Sequence, residues 1–393
     1  MKRIAMIALA VATFFVVSPH HALAVPPNTL ALGEMQTILA LPVGDNPEGI
    51  AVDGPNVYFG NRRVVQHDAG FVFESEILKV RANGRVDLFR TLPDSPVTSN
   101  GVLGLTTDRQ GNVYAALDTG DVATRGVWKF SKTQSASERL AGSENMEFPN
   151  ALTFDDAGNL YATDSLLGEV WRFTSDGSAP QQPWAQDELL EPDPEDPFGF
   201  PLPGANGIAF FSDALYVANT EKGLVSRLPI NPDGSAGVAE LLAADLRLIS
   251  ADGIATDKNG DIHVVIPGYI RLEQTFGVRV APLVRVDATS GEVTSTVFDD
   301  PEDPQFDVPL SLAFGAVGPE LESVFITNGD LSIDPNVPGV PGPGILQVGV
   351  GVDGFIQRGN PLAVPEPSTC LLALFGVSGL FCCRKANRVA KLR

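Results

Sequence analysis

Four residues with oxygen-bearing side chains stand at the same place in four similar stretches of the sequence, each opening a short apolar segment. They are Glu48, Asn150, Asn206 and Asp252. Two carboxylates and two amides, with no His or Cys among them, form a hard oxygen set of the kind that Ca²⁺ prefers, whereas zinc favours nitrogen and sulfur ligands. If these side chains meet at one point, we expect them to bind Ca²⁺ or another divalent cation.

A local explanation of the same residues stays open. Asn and Asp favour turns and tolerate unusual backbone angles, so Asn150, Asn206 and Asp252 could stand at strand starts for that reason alone. Glu48 is a poor turn residue, and turn preference does not explain it. The complete set therefore favours the metal hypothesis.

A repeat with six copies must position these residues. Each copy has a short apolar strand, a Gly-containing turn, a second strand rich in Tyr and Val, and then further strands. The residue before each apolar strand marks the copies, at Gly49, Gly104, Ala151, Gly207, Gly253 and Leu312. A period of about 40 to 50 residues with four short strands is typical of propeller blades, and longer intervals indicate loop insertions.

The sequence therefore predicts an all-β fold, a six-bladed β-propeller with four-stranded antiparallel blades, over residues 25–362. Two stacked β-sandwiches are the alternative, but a sandwich gives no reason for six similar copies. The segment 35–41 precedes the first copy and is predicted to close the ring by pairing with the last blade. Long loops on the side of the candidate residues are predicted at 61–75, 187–204, 268–282, 299–309 and 328–344.

In a propeller the first strand of every blade lines the central channel, so the residues that open these strands share one mouth. Two of the six copies contribute none of the four candidate ligands and have Leu103 and Ser311 at the corresponding position. The body has two histidines: His263, inside a strand, is predicted to be ordinary sheet packing, and His67 is an outside candidate for proton transfer.

Four strings in the copies resemble the gluconolactonase/regucalcin (senescence-marker-protein-like) family of six-bladed propellers. They are PEGIAVD, FPNALTFDDAGNLYATD, ANGIAFFSDALYVANT and SADGIATDKNGD, and the resemblance extends over roughly residues 35–360. It implies that Glu48, Asn150, Asn206 and Asp252 surround an axial Ca²⁺ or similar ion. It also implies that the ion polarises a lactone or ester carbonyl while Asp252 acts as general base on water.

One position departs from that family. Its sugar lactonases carry an Arg two residues before the first Asn, and this chain has Phe148 there. Recognition of sugar acids is therefore not implied.

The first 24 residues predict a signal peptide. Lys2 and Arg3 form a basic start, residues 4–17 are apolar, and the small residues Ala22 and Ala24 mark a cleavage site. An uncleaved anchor is the alternative, but the apolar run is shorter than the roughly 20 residues that a membrane span needs.

Residues 363–393 form a tail with three parts. A Pro-Glu-Pro motif at 365–367 precedes an apolar run at 369–383 and a basic end. The tail resembles the PEP-CTERM sorting signal of bacteria. The resemblance implies transient anchoring in the inner membrane through a short helix, processing by exosortase-type machinery, and a destination in the cell envelope or on the extracellular surface. An apolar stretch followed by positive charge is also a stop-transfer pattern, so a plain C-terminal membrane anchor is the alternative.

The charge and the cysteine positions limit which partners and sites are expected. The 393 residues carry a net charge of −21, which disfavours nucleic acid as a partner and suits a secreted protein that attracts divalent cations. All three cysteines, Cys370, Cys382 and Cys383, lie in the tail, so the propeller body has neither a disulfide framework nor a thiol nucleophile.

Two functions follow as hypotheses, and the sequence leaves open whether the protein is an enzyme. The first is a calcium-dependent hydrolase of a small-molecule lactone or ester. The second is a non-catalytic extracellular propeller that binds a polysaccharide or a surface protein in the envelope or biofilm matrix, because propellers serve as enzymes and as scaffolds.

Overall fold

A computed structural model describes residues 24–67, 70–193, 203–267, 281–297, 306–329 and 342–355. The predicted signal peptide lies outside these residues except for its last residue, Ala24, and the predicted sorting tail lies outside them entirely. Residues 194–202 of the loop predicted at 187–204 also lie outside the described residues, as do most residues of the loops predicted at 268–282, 299–309 and 328–344. Within the described ranges, no helix has the length and apolarity to cross a membrane.

The described strands are short and follow one another along the chain. In order, they are β1 (Met35–Ala40), β2 (Asp45–Asp53), β3 (Asn56–His67), β4 (Gly70–Val80), β5 (Val86–Thr91), β6 (Ser95–Pro96), β7 (Gly101–Thr107), β8 (Val113–Asp118), β9 (Gly126–Phe130), β10 (Ser137–Arg139), β11 (Pro149–Phe154), β12 (Leu160–Asp164), β13 (Glu169–Phe173), β14 (Ala185–Gln186), β15 (Ala205–Phe211), β16 (Ala214–Asn219), β17 (Leu224–Pro229), β18 (Glu240–Ala244), β19 (Ile254–Thr256), β20 (Ile262–Val265), β21 (Leu283–Val286), β22 (Val293–Val297), β23 (Val308–Phe314), β24 (Ser323–Gly329) and β25 (Gly344–Gly349). Single 3₁₀ turns lie at Ser143–Asn145, Leu246–Leu248 and Gly318–Glu320.

These strands form the six predicted blades, each a four-stranded antiparallel sheet. Blades 1 to 5 contain β2–β5, β7–β10, β11–β14, β15–β18 and β19–β22, and the short β6 adds to the edge of β4. Blade 6 contains β23, β24, β25 and, as its outer strand, β1. The prediction of a six-bladed propeller is confirmed.

The ring is closed by the start of the chain. Met35 of β1 lies opposite Val348 of β25, and Ala40 lies opposite Gly344. Ile38 is buried in the cluster between blade 6 and blade 1. This pairing confirms the predicted closure, and it joins the two ends of the propeller body in one sheet.

The hydrophobic core lies between the blades. Each of the six buried clusters combines side chains from two neighbouring sheets. For example, Tyr114 of blade 2 meets Phe154 of blade 3 edge to face, with ring centroids 5.2 Å apart. Because the alternating residues of each strand point to the two faces of its sheet, every blade contributes apolar side chains to both neighbours.

A repeated turn explains the acidic residue at the end of several inner strands. The Asp155 carboxylate accepts hydrogen bonds from Asn159 N at 2.8 Å, Asn159 Nδ2 at 2.7 Å and the Tyr161 hydroxyl at 3.1 Å. In blade 5 His263 takes the place of the Tyr, with its Nε2 3.3 Å from Asp257 Oδ2 and both side chains buried. His263 is therefore a packed residue of the sheet, as predicted.

One expected loop is a hairpin instead. Strands β3 and β4 remain paired from the blade to the tip, with Arg62 opposite Ser75 and His67 opposite Gly70. Val64 and Val65 on one arm and Phe71, Val72 and Phe73 on the other are residue types that favour an extended, paired backbone. His67 lies at the exposed tip, 3.3 Å from Glu74.

Candidate functional site

The inner strands share a local irregularity at their starts. The pairing register shifts between Glu48 and Ile50 in β2 and between Ala205 and Ile208 in β15, and similar shifts occur in β7, β11 and β23. A β-bulge places an extra residue in one strand and redirects its side chain. In blades 1, 3 and 4 the bulge thus lies where the candidate residues lie, and in blade 5 Asp252 lies just before the start of β19 at Ile254.

Glycines beside the candidate residues allow the inner strands to approach one another. A Cβ on Gly207 would lie 2.1 Å from the carbonyl oxygen of Asp252, and one on Gly49 would lie 1.7 Å from that of Leu103. These separations are too short for any side chain, so glycine is required by the close approach of neighbouring backbones. The same approach brings the adjacent polar side chains together.

The two amides of the predicted set are in contact. Asn150 Nδ2 donates a hydrogen bond to Asn206 Oδ1 at 2.9 Å and another to Ser165 Oγ at 3.0 Å. Asn206 Nδ2 in turn donates to Thr220 Oγ1 at 2.9 Å. All four side chains are buried, so the contacts fix the orientation of both amides.

The two carboxylates lie in the same cluster. Burial raises the pKa of Glu48, while the Arg62 guanidinium beside it lowers that pKa. Burial also raises the pKa of Asp252 well above its ordinary value, and the nearby charge of Glu48 raises it further. Arg62 and a hydrogen bond from Asn206 act in the opposite direction on Asp252. The structure therefore brings together all four predicted residues, from blades 1, 3, 4 and 5.

Sequence reasoning missed Arg62. Its Nη2 lies 2.8 Å from Glu48 Oε2, and both side chains are at most 10% exposed. Its Nη1 donates to the carbonyl oxygen of Asn100 at 2.5 Å, and the guanidinium lies 5.8 Å from the ring centroid of Phe73. The missed signal was the strand-like composition of residues 61–75, which would have placed Arg62 on a paired strand directly beside Glu48.

In the other two blades the residues at the corresponding positions are uncharged. Leu103 of blade 2 is buried and Ser311 of blade 6 is half-buried. The backbone N–H of Ser311 donates to Thr327 Oγ1 at 3.0 Å. At these positions, blades 1, 3, 4 and 5 therefore supply the functional groups.

The opposite end of the channel holds an open, partly polar cavity of about 130 Å³. It is lined by the far ends of the inner strands, including Val52, Thr107 and Phe314. Phe355 borders this cavity, donates its backbone N–H to Thr256 O at 2.9 Å and packs against Phe211 with ring centroids 4.9 Å apart. The chain therefore reaches this end of the channel after β25.

Among the residues that the structure describes, no three His, Cys, Asp or Glu side chains gather as a metal-binding group. The axial cluster holds two carboxylates, and its other oxygen donors are amides. A cation at this place would therefore need the side-chain carbonyls of Asn150 and Asn206 as well as Glu48 and Asp252.

The tail and the propeller body match different known proteins. Residues 363–388 match the PEP-CTERM protein-sorting motif, which identifies the chain as one exported for surface sorting. No protein of curated function matches the sequence.

The body matches solved propellers. A protein proposed to be a gluconolactonase is 17% identical, with a TM-score of 0.54 over 86% of this chain and 100% of its own. A luciferin-regenerating enzyme is 16% identical, with a TM-score of 0.51 over 84% of this chain and 99% of its own. At these identities the likeness establishes the fold that the chain shares with them.

Proposed function

We propose that this exported propeller holds a divalent cation, with Ca²⁺ as the best fit, at the mouth of its axial channel and hydrolyses a lactone or related ester there. The observation that carries the proposal is the convergence of Glu48, Asn150, Asn206 and Asp252 from four blades at one end of the channel. Their order along the chain follows the order implied by the gluconolactonase/regucalcin resemblance.

The charges of the cluster support a cation. Glu48 and Asp252 are two acidic groups near a single guanidinium, which contacts Glu48, and burial raises the pKa of both. Buried negative charge of this kind is stabilised by a metal ion bound to the same oxygens. The amide carbonyls of Asn150 and Asn206 are suitable neutral ligands for the remaining positions.

The chemistry follows from the same residues. A bound divalent cation supplies Lewis-acid polarisation of a substrate carbonyl. The Asp252 carboxylate accepts a proton from water as the water oxygen forms a bond to the carbonyl carbon. The ring C–O bond of the lactone then breaks, and the proton passes from Asp252 to the departing oxygen. The product is a hydroxy acid.

Phe355 limits how far the propeller lies from the sorting tail. It borders the cavity at the end of the channel opposite Glu48, and the sorting motif begins eight residues later at 363. Eight extended residues span at most roughly 30 Å. While the tail holds the protein at the membrane, this end of the channel therefore stays within roughly 30 Å of the start of the sorting motif.

A specific observation favours a second candidate, a non-catalytic binding propeller. The hairpin of β3 and β4 extends beyond its blade and exposes Val64 and Phe71, which are 54% and 57% exposed. Exposed apolar side chains on a projecting element are suited to contact with a polysaccharide or a surface protein. In this case the axial cation would serve only to stabilise the channel.

The test is the metal content of the purified protein, followed by activity on a panel of lactones and esters. We expect one Ca²⁺ per chain, its loss in Glu48→Ala and in Asp252→Ala, and turnover that falls by about 10²- to 10⁴-fold in Asp252→Asn. Ser311→Ala is the matched control, because Ser311 lies at the same level of the channel in blade 6. Bound metal without turnover would support the binding propeller, and absence of metal in the native protein and in its variants would reject the cation site.

A further inference from the structure

Arg62 contacts one of the two carboxylates of the proposed cation site. The Arg62 Nη2 lies 2.8 Å from Glu48 Oε2 inside the channel mouth, and the side chain of Arg62 is 9% exposed. The proposed ligand set therefore contains a permanent positive charge in contact with one of its two carboxylates. Neither composition nor the repeat pattern predicts this contact.

Several groups besides Glu48 contact the Arg62 guanidinium and hold it in this position. Asn100 accepts a hydrogen bond from Nη1 through its backbone carbonyl at 2.5 Å, and Phe73 lies beneath the guanidinium at 5.8 Å. With its amide oxygen turned toward Arg62, Asn46 accepts from Nη2 at 3.2 Å and from Nε at 3.3 Å. Glu48 is thus one of several groups that hold Arg62.

The next arginine of the same strand points away from the channel mouth. Arg63, the next residue of β3, points to the other face of the sheet, where it lies near Glu74 at 3.4 Å and Glu76 at 3.7 Å. Successive side chains of a strand alternate between faces, so one arginine enters the channel mouth and its neighbour leaves it. The two residues form a matched pair for experiment.

We infer that Arg62 is a resident counter-ion of Glu48 that competes with the axial cation, so that the ion pair must loosen before the cation binds. The inference rests on the proposed cation site. It follows from Coulomb repulsion between the guanidinium and a divalent ion that share one buried carboxylate. The consequence is a site whose Ca²⁺ affinity is lowered by its own arginine.

The alternative role for a buried arginine is purely structural, and it predicts the opposite sign. If Arg62 merely supports the hairpin, its replacement loosens the site and weakens cation binding. If Arg62 competes, its replacement removes repulsion and frees Glu48, so cation binding becomes tighter. The sign of the change in Ca²⁺ affinity separates the two roles.

The experiment measures Ca²⁺ affinity by isothermal titration calorimetry on the full-length protein in four forms. These are the native chain, Arg62→Met, Arg63→Met and Phe73→Ala. We expect Arg62→Met to bind Ca²⁺ at least about tenfold more tightly than the native chain. Arg63→Met, which removes the same charge from the neighbouring position, should change the affinity by less than about threefold.

Phe73→Ala keeps the charge and removes the ring beneath the guanidinium. It should tighten binding by about two- to fivefold, because Arg62 then leaves Glu48 at a smaller cost. This variant keeps the inference testable if Arg62→Met fails to fold, which far-UV circular dichroism would reveal.

The outcomes distinguish this inference from the proposed function. Tighter binding in Arg62→Met supports the inference, including the case in which the native chain binds no Ca²⁺ and the variant does. Native binding that is unchanged or weakened in the variants at Arg62 and Phe73 overturns the inference and leaves the cation site intact. Absence of binding in all four forms overturns the cation site itself, and with it the inference.

Discussion

The guanidinium of Arg62 and the carboxylate of Glu48 form an ion pair on adjacent strands of the first blade, with 2.8 Å between Nη2 and Oε2. Glu48 lies opposite Gly60 in the pairing of β2 with β3, so Arg62 reaches across to it from two residues farther along. The pair is buried at the channel mouth, and it neutralises one of the two carboxylates that meet there. This contact links the stability of the blade to the chemistry of the site.

Removing only the acidic partner of this ion pair should destabilise the folded protein. Glu48→Gln leaves the Arg62 guanidinium buried without a carboxylate, and we expect the free energy of unfolding in the absence of divalent cations to fall by about 3 to 5 kcal/mol. Chemical denaturation in chelator measures it. Asp245→Asn is the control, because it breaks the more exposed pair with Arg247 and should cost less than about 1 kcal/mol.

The double variant provides the decisive comparison. Glu48→Gln with Arg62→Met removes both charges, so it should recover most of the stability that Glu48→Gln loses. A double variant as unstable as the single one would show that the ion pair is not the source of the loss.

The glycine beside the site gives a prediction about geometry. A Cβ on Gly207 would lie 2.1 Å from the Asp252 carbonyl oxygen, so Gly207→Ala must push blade 4 away from blade 5. We expect a loss of about 1 to 3 kcal/mol in the free energy of unfolding and a weaker cation site, measured by thermal denaturation and calorimetry. Gly342→Ala is the control, since nothing lies within 4 Å of its added carbon. Equal behaviour of the two variants would contradict the close approach of the inner strands.

Several features of the fold could be predicted from the sequence because they repeat. The repeat has six apolar segments at blade-like intervals, and this periodicity defines the six sheets. They follow Glu48, Leu103, Asn150, Asn206, Asp252 and Ser311. The closing strand was predictable because segment 35–41 has the pattern of an outer strand but no blade of its own.

The environment of the site was less accessible from the sequence. Arg62 lies outside the six repeated strings, in the segment between the second and third strands of its blade, so periodicity gives it no role. The length of 61–75 suggested a loop, whereas the pairing of Arg62 with Ser75 continues the sheet. The hydrogen bond between Asn150 and Asn206 depends on the close approach of two blades, which is a property of the closed ring and of no single copy.

The closing strand should contribute strongly to stability. Ile38 is buried between blade 6 and blade 1, so Ile38→Ala should lower the free energy of unfolding by about 2 to 5 kcal/mol. Thr37→Ala, at the exposed neighbouring position of β1, should change it by less than about 0.5 kcal/mol. Equal urea denaturation midpoints for the two variants would show that β1 is not needed to hold the ring closed.

Glu320 predicts a dependence of stability on pH that is separate from the site. Its side chain is buried in the 3₁₀ turn before β24, and burial raises its pKa from 4.5 to about 7. The folded protein thus favours the protonated carboxyl, while the unfolded chain ionises at lower pH. The stabilisation is complete below about pH 4.5 and is lost as the pH rises through about 7.

Glu320→Gln keeps a neutral side chain at every pH, so its melting temperature should exceed that of the native protein increasingly from pH 5 to pH 7 and by a constant amount above pH 7. Glu322→Gln, at an exposed position two residues away, should track the native protein throughout. If Glu320→Gln and the native protein melt in parallel over this range, the Glu320 carboxyl does not ionise at a raised pKa in the folded state.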